Sequence, residues 1–143
     1  MTLHLIKLCV GCDSVKDLED WIREKRKRAR TKKNEHVHRT RMVPKRADEL
    51  LDGGSLFWVI RGEVLCRQQL IDIRPYRDKA GIGQCHLVLE PRVVLVEPRP
   101  YRAFQGWRYY TAKDAPRDLD RAAPGAKAMP EALRRELREL GLL

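Results

Sequence analysis

The chain has 143 residues and a formal net charge of +10, from 30 lysines and arginines against 20 aspartates and glutamates. A hydrophobic share of 43% is ordinary and excludes wholesale disorder, although 35% charged residues is high for a globular domain. No run approaches the roughly 20 apolar residues that cross a bilayer, so no membrane partner is expected, and the length suits one domain that folds without a disulfide or metal.

Leu3 to Val10 alternates loosely and predicts a first strand that Gly11 ends. Asp13 or Ser14 can cap a helix with Asp17 in its first turn. Val15, Leu18 and Ile22 share one face with Trp21 beside them. The apolar stripe stops at Ile22, so the basic continuation to Lys33 is expected to project past the core, with Asn34 as its end. His36 to Met42 predicts a second strand. Pro44 suits the first position of a short helix through Leu51, with Leu50 and Leu51 buried and Gly53-Gly54 as the stop. Ser55 to Ile60 is apolar on both faces and predicts a central strand. Gly62 marks a tight turn, Glu63 to Ile73 a strand, and Tyr76 to Gly83 a polar loop. Gln84 to Leu89 and Val93 to Val96 predict two strands separated by Pro91. Tyr101 to Tyr110 reads as a loop leading into a last strand.

Residues 1–119 therefore form one α+β domain with a mixed, mostly antiparallel curled sheet or partial barrel and flanking helices. Asp114 to Met129 is Pro-, Ala- and charge-rich and reads as linker, with 120–129 as its core. Residues 130–143 predict a final helix packed on the same domain, with Leu133, Leu137 and Leu140 on one face.

The charge is not spread. Arg23 to Arg46 holds twelve basic residues and two acidic ones, the whole excess of +10, and the remaining 18 basic and 18 acidic residues cancel. A localised patch makes a directed field that attracts anionic polymers. An exposed helix built only for solubility gains from Glu–Lys pairs four apart, and this one forgoes them. Arg23, Arg26, Lys27, Arg28, Arg30, Lys32 and Lys33 are the expected phosphate contacts on the helix, and Arg39, Arg41, Lys45 and Arg46 the expected lining of a groove. Tyr101, Phe104, Trp107, Tyr109 and Tyr110 are five of the nine aromatics, set among Arg99, Arg102 and Arg108. Rings and guanidinium planes stack on bases, so Tyr101, Arg102, Trp107 and Arg108 are expected to stack; filling the core is the competing use of Trp107 and Tyr109.

Catalytic patterns are incomplete. His36 and His38 lie in His36-Val-His38-Arg-Thr40, half of a two-histidine phosphoesterase pattern in which paired histidines act as acid and base. The other half would need a hydroxyl where His86-Leu-Val88 has valine. Alternation places His36, His38 and Thr40 on one face of the strand and Arg39 and Arg41 on the other. Cys9-Val-Gly-Cys12 lies where a redox pair sits, but without the usual spacer proline, and no second Cys pair completes a zinc site. Burial as small apolar residues is the expectation for the cysteines, with no metal and no cofactor. Met1 to Cys12 lacks a basic start and Lys7 interrupts its apolar run, so export is not expected, and the cysteines read as reduced thiols in a cytoplasm.

Several segments carry a resemblance: Leu5-Ile-Lys-Leu-Cys-Val-Gly, Thr40-Arg-Met-Val-Pro-Lys-Arg-Ala-Asp-Glu-Leu-Leu, Gly53-Gly-Ser-Leu-Phe-Trp-Val-Ile-Arg-Gly, Arg67-Gln, Phe104-Gln-Gly-Trp-Arg-Tyr and the Asp114-Ala-Pro turn. Together they resemble an uncharacterised family of alphaproteobacterial proteins of about this length, which supplies no activity. More distantly, a short helix ending in Gly-Gly, a hydrophobic strand, a glycine and another strand is similar to the PUA-like superfamily, with its ASCH, EVE and YTH domains. That resemblance implies RNA or modified-base binding in a cleft near His38, Arg39, Arg41, Trp58 and the aromatic–arginine loop.

The expectation is a cytoplasmic, non-enzymatic nucleic-acid-binding protein, with RNA favoured. The alternatives are an enzyme acting on a phosphate-containing substrate through His36 and His38, and a module whose basic helix docks an acidic protein.

Overall fold

The computed structural model of the chain describes residues 2–29 and 35–119. The expected helix at 130–143, the linker at 120–129, and Arg30, Lys32 and Lys33 lie outside them. In chain order the elements are β1 (Leu3–Leu8), α1 (Val15–Ala29), β2 (His36–Thr40), α2 (Ala47–Leu50), β3 (Ser55–Ile60), β4 (Glu63–Arg77), β5 (Gly83–Leu89), β6 (Val94–Pro100) and β7 (Trp107–Thr111). The strands form one mixed sheet in the order β2-β5-β4-β3-β1-β7, with β6 also paired to β4. Among the described strands only β1 and β3 run parallel. The path ends at β2 and β7 without closing, which is the curled, mostly antiparallel α+β sheet the sequence predicts.

The curl has a local cause in β4. This strand extends past Ile73 to Arg77 and carries two irregularities, one around Leu65 and one around Ile71. A bulge bends the strand that holds it and increases its twist. The first half of β4 pairs with β3 and β6, the second half with β5. One strand thus serves both walls of the sheet.

All six residues of β3 are buried, as the two-sided apolar run predicts. Leu56, Trp58 and Ile60 face the larger core with Leu5, Cys66, Leu87 and Leu89; Phe57 and Val59 face a smaller one with Ile6, Val64, Val96 and Tyr110. Helix α1 covers the larger core through Val15, Leu18 and Ile22. It opens on Ser14, whose hydroxyl accepts from the Asp17 amide at 3.2 Å, while the Asp17 carboxylate accepts from the Asp13 amide at 2.9 Å. Two orphan amides at the helix start are thereby satisfied.

Three expectations need correction. Helix α2 starts at Ala47 rather than at Pro44, which is buried, and Leu51 is exposed. Leu50 alone fills the core there, because a helix of one turn has room for one inward side chain. Residues 114–119 are not linker. Asp118 forms a bridge to Val96, the Glu97 amide donates to the Arg117 carbonyl at 2.9 Å, and Leu119 is buried in the larger core. Last, the basic half of α1 does not simply project from the core, because Lys25 and Arg26 are partly buried.

Gly53 and Gly54 end α2 as predicted, for two separate reasons. Gly53 has φ +85°, a left-handed conformation that only glycine adopts cheaply. Gly54 lies where an added Cβ would be 2.3 Å from both the Leu3 and Leu50 carbonyl oxygens.

Candidate nucleic-acid interface

Docking of Val15, Leu18 and Ile22 fixes the rotation of α1 and turns Arg23, Lys27 and Arg28 to solvent. Lys25 turns back to the sheet. Its ammonium donates to the Val37 carbonyl of β2 and lies 5.1 Å from the Trp21 ring centre. Strand β2 alternates as predicted. His36 and Thr40 are buried, while Arg39, and Arg41 just past its end, are exposed. Arg39 pairs in register with His86 of β5, which pairs with Arg74 of β4, so a cationic row crosses the outer face.

These charges act on one another. Burial first, then Arg39 and Arg28, hold the Lys25 ammonium below its ordinary pKa. Burial, Arg39, Lys25 and Arg74 do the same to His86. Several cations are paired: Arg23 with Asp20 at 3.2 Å, Arg46 with Glu49, and Arg74 with Asp72 at 2.9 Å and Glu35 at 3.2 Å. Among the described residues no ion pair holds Lys27, Arg28 or Arg39.

Beneath this surface is a polar cluster on the concave face. The His38 ring is edge-on to Trp58 at 5.2 Å and to Trp21 at 6.1 Å, and His36 is edge-on to Trp21 at 5.5 Å. The Trp58 indole N–H donates to Gln68 Oε1 at 2.9 Å, and Gln68 Nε2 donates to the Glu90 carbonyl at 2.7 Å. Both ring nitrogens of His38 and Nε2 of His36 are buried without a hydrogen-bond partner among the described residues. Burial, then Lys25, pulls the His36 pKa down to about 4, against a weaker opposing hydrogen bond with Gln68. Burial, then Lys7, Lys25 and His36, pulls His38 to about 3. His86 is on the opposite face of the sheet, so the three histidines do not converge.

The aromatic–arginine segment meets the basic loop rather than the helix. The Trp107 indole donates to the Met42 carbonyl at 2.7 Å, and the Tyr109 hydroxyl accepts from the Lys45 and Arg46 amides at 2.9 and 3.2 Å. Arg46 lies over the Tyr109 ring at 5.5 Å. These bonds fix the loop that presents Arg41, Lys45 and Arg46. Trp58 and Trp107 are themselves buried. Tyr101 packs edge-on to Phe104 at 5.3 Å and to Tyr110 at 6.0 Å. Arg108 lies 4.6 Å from the centre of the Phe104 ring, and Arg102 is exposed. The exposed aromatic beside Lys25 is Trp21, 37% accessible, which sequence reading assigned only to the helix's core-facing side.

The family model for a protein of unknown function, DUF1489, matches residues 5–143. The chain belongs to the DUF1489 family. No curated protein and no solved structure matches it. The family match spans every described element except the first two residues of β1, so the cationic row and the cluster beneath it fall within the DUF1489 domain.

Two other features of this DUF1489 domain bear on chemistry. Cys9 is buried and Cys12 half-buried, and burial raises both thiols above their ordinary pKa, which works against a reactive thiolate. Among the described residues no group of three or more His, Cys, Asp or Glu could hold a metal. The second feature is a cleft of about 600 Å³ near His4, Ser55, Arg67 and Asp118. Arg67 forms a fork-to-fork pair with Asp118, both bonds 2.8 Å, and donates to Ser55 Oγ at 2.9 Å. Ser55 Oγ accepts from arginine, and His4 Nδ1 is occupied by the Ser55 amide at 3.0 Å, so serine and histidine are not arranged as nucleophile and base. The pair closes residues 114–119 onto the sheet. Asp118→Ala is expected to lower unfolding free energy by about 2 kcal/mol in urea titrations, because Arg67 would keep its half-buried charge without a partner.

Proposed function

We propose that the domain binds nucleic acid, with RNA favoured, along the surface formed by α1 and β2. The observation that carries the reading is that Arg23, Lys27 and Arg28 of α1 and Arg39 and Arg41 at β2 are all exposed, with Lys25 tying the helix to the β2 backbone between them. Like charges held together, with no ion pair among the described residues on Arg28 or Arg39, are destabilising unless an anion completes them. Phosphates spaced along a strand suit a row running from α1 across β2 to Arg74. Trp21, beside Lys25 at the helix end of this surface, supplies an exposed ring for a base to stack on. Arg41, Lys45 and Arg46 extend the surface at the far end of β2.

A curled sheet with a helix over its concave face also suits the PUA-like reading, and the bacterial origin implied by the sequence resemblance belongs with it. Four free cysteines suit a reducing cytoplasm. No helix among the described residues is long and apolar enough to cross a membrane.

Fluorescence anisotropy with single-stranded RNA, duplex RNA and duplex DNA across a salt series checks this. Affinity for RNA is expected to fall steeply with salt, with a logarithmic slope of about −0.7 to −0.9 per neutralised phosphate. The double variant Arg28→Glu, Arg39→Glu should weaken binding at least about tenfold and flatten that slope. Absence of binding at low salt overturns the reading.

A further inference from the structure

The concave face has a composition that packing alone does not explain. Lys7 follows Leu3 and Leu5 on the same side of β1 and registers with Trp58 on one neighbour and Trp107 on the other. It is partly buried, and no carboxylate or hydrogen-bond acceptor meets its ammonium among the described residues. Lys25 reaches the same region from α1, and His36 and His38 reach it from β2. Three buried imidazole nitrogens there have no partner among the described residues. Unpaired buried polar atoms are a standing cost that apolar residues would avoid. The charged groups bearing on the cluster, Lys7, Lys25 and Arg26, are all positive. A metal cation is repelled by such a site; an anion is not.

We propose that Lys7, Lys25, His36 and His38, gathered around Trp21 and Trp58, form a site for a phosphate monoester. The two ammonium groups supply charge, and the imidazoles supply N–H donors. A dianionic monoester suits four such groups better than an internal phosphodiester, which carries one charge. The accessible Trp21 gives an attached base or sugar an apolar surface. The chemistry is shared by a free nucleoside monophosphate and by the terminal phosphate of a strand; only the second source rests on the nucleic-acid reading above. The further reading concerns binding and requires no bond to form or break.

Two measurements on the wild-type protein separate the possibilities. The first is anisotropy with one short RNA carrying either a 5′-phosphate or a 5′-hydroxyl. The second is a titration with adenosine 5′-monophosphate and with adenosine, followed through the imidazole proton resonances. A strand-end site is expected to favour the phosphorylated RNA about tenfold or more, the gain from charge-assisted bonds to the added group. Lys7→Met should erase that preference and leave the salt-dependent affinity for the hydroxyl strand intact. Imidazole shifts with the monophosphate but not with adenosine, combined with no RNA binding, support the site with a free nucleotide as its source and sink the groove. Equal affinity for the two RNAs, with no imidazole response to the monophosphate, overturns this proposal and leaves the groove standing.

Discussion

Gly54→Ala is expected to leave little folded protein, a loss of about 4 kcal/mol or more, from a total that for a domain of this kind is about 5–15 kcal/mol. A Cβ at this position would come 2.3 Å from the Leu3 carbonyl of β1 and 2.3 Å from the Leu50 carbonyl of α2. Neither atom can move aside as a side-chain tip can. Leu3 is held in the β1–β7 ladder, and the Leu50 carbonyl accepts from the Gly54 amide at 2.9 Å. The Gly54 carbonyl in turn accepts from the Leu70 amide at 3.0 Å, so a shift at residue 54 also disturbs β4 next to its second bulge. Gly53→Ala is the contrasting variant. Nothing lies within 4 Å of an added Cβ there, but φ is +85°, so its cost is conformational alone, about 1–2 kcal/mol. Equilibrium urea unfolding of the two variants checks the ranking. Equal losses would mean that α2 and β1 separate easily, against the close approach described.

Much of this architecture was legible in local patterns. The run Leu56 to Ile60 announced a strand buried on both faces, and it is one. Alternation alone put His36 and Thr40 on one face and Arg39 on the other; the structure buries the first face and exposes the second. Gly53-Gly54 marked the end of α2. What was not legible depends on partners far along the chain. The two irregularities in β4 that curl the sheet have no local signature, because Leu65 and Ile71 are ordinary strand residues. Asp118 read as part of a Pro- and charge-rich linker; its partner Arg67 is 51 residues away. Lys7 looked like the residue interrupting an apolar run, and only the pairing of β1 between β3 and β7 places it among tryptophans. Trp21 was visible beside the apolar stripe of α1, but its accessibility follows from where the helix rests on β2.

The candidate site divides in the same way. Its cations were plain from the charge count, and their convergence was not. The aromatic–arginine segment was plain as a composition. In the folded chain its Trp107 and Tyr109 hold the basic loop in place, so truncating either would act on Arg41, Lys45 and Arg46 through the loop's position.

Acid is expected to destabilise the domain well before its carboxylates titrate. His36 and His38 have folded pKa values of about 4 and about 3, against 6.5 when exposed. Between those values the unfolded chain binds the protons and the folded one does not, so stability is complete above about pH 6.5 and is lost as pH falls toward 4. Of the groups facing the pair, only Gln68 from β4 gives relief, a weak hydrogen bond to His36; Trp21, Lys25 and Arg26 from α1, Lys7 from β1, Trp58 from β3, and apolar Leu87 and Leu89 from β5 give none. At about 1.4 kcal/mol per unit for each group, the two account together for roughly 5 kcal/mol between pH 6.5 and 4. His38→Phe keeps an aromatic ring between the tryptophans and removes one titration. At pH 7.5 it is expected to match the wild type within about 1 kcal/mol, and at pH 4.5 to exceed it by about 2 kcal/mol in urea unfolding. A wild type and variant that lose stability in parallel would show that His38 is not held neutral by its surroundings. The phosphate site adds a second consequence with the opposite sign. An anion bound between Lys7 and Lys25 supplies the missing negative charge, raises the folded pKa of both histidines, and shrinks the acid loss. Saturating adenosine 5′-monophosphate should therefore protect the wild type more than His38→Phe at pH 7.5, where the ester is dianionic.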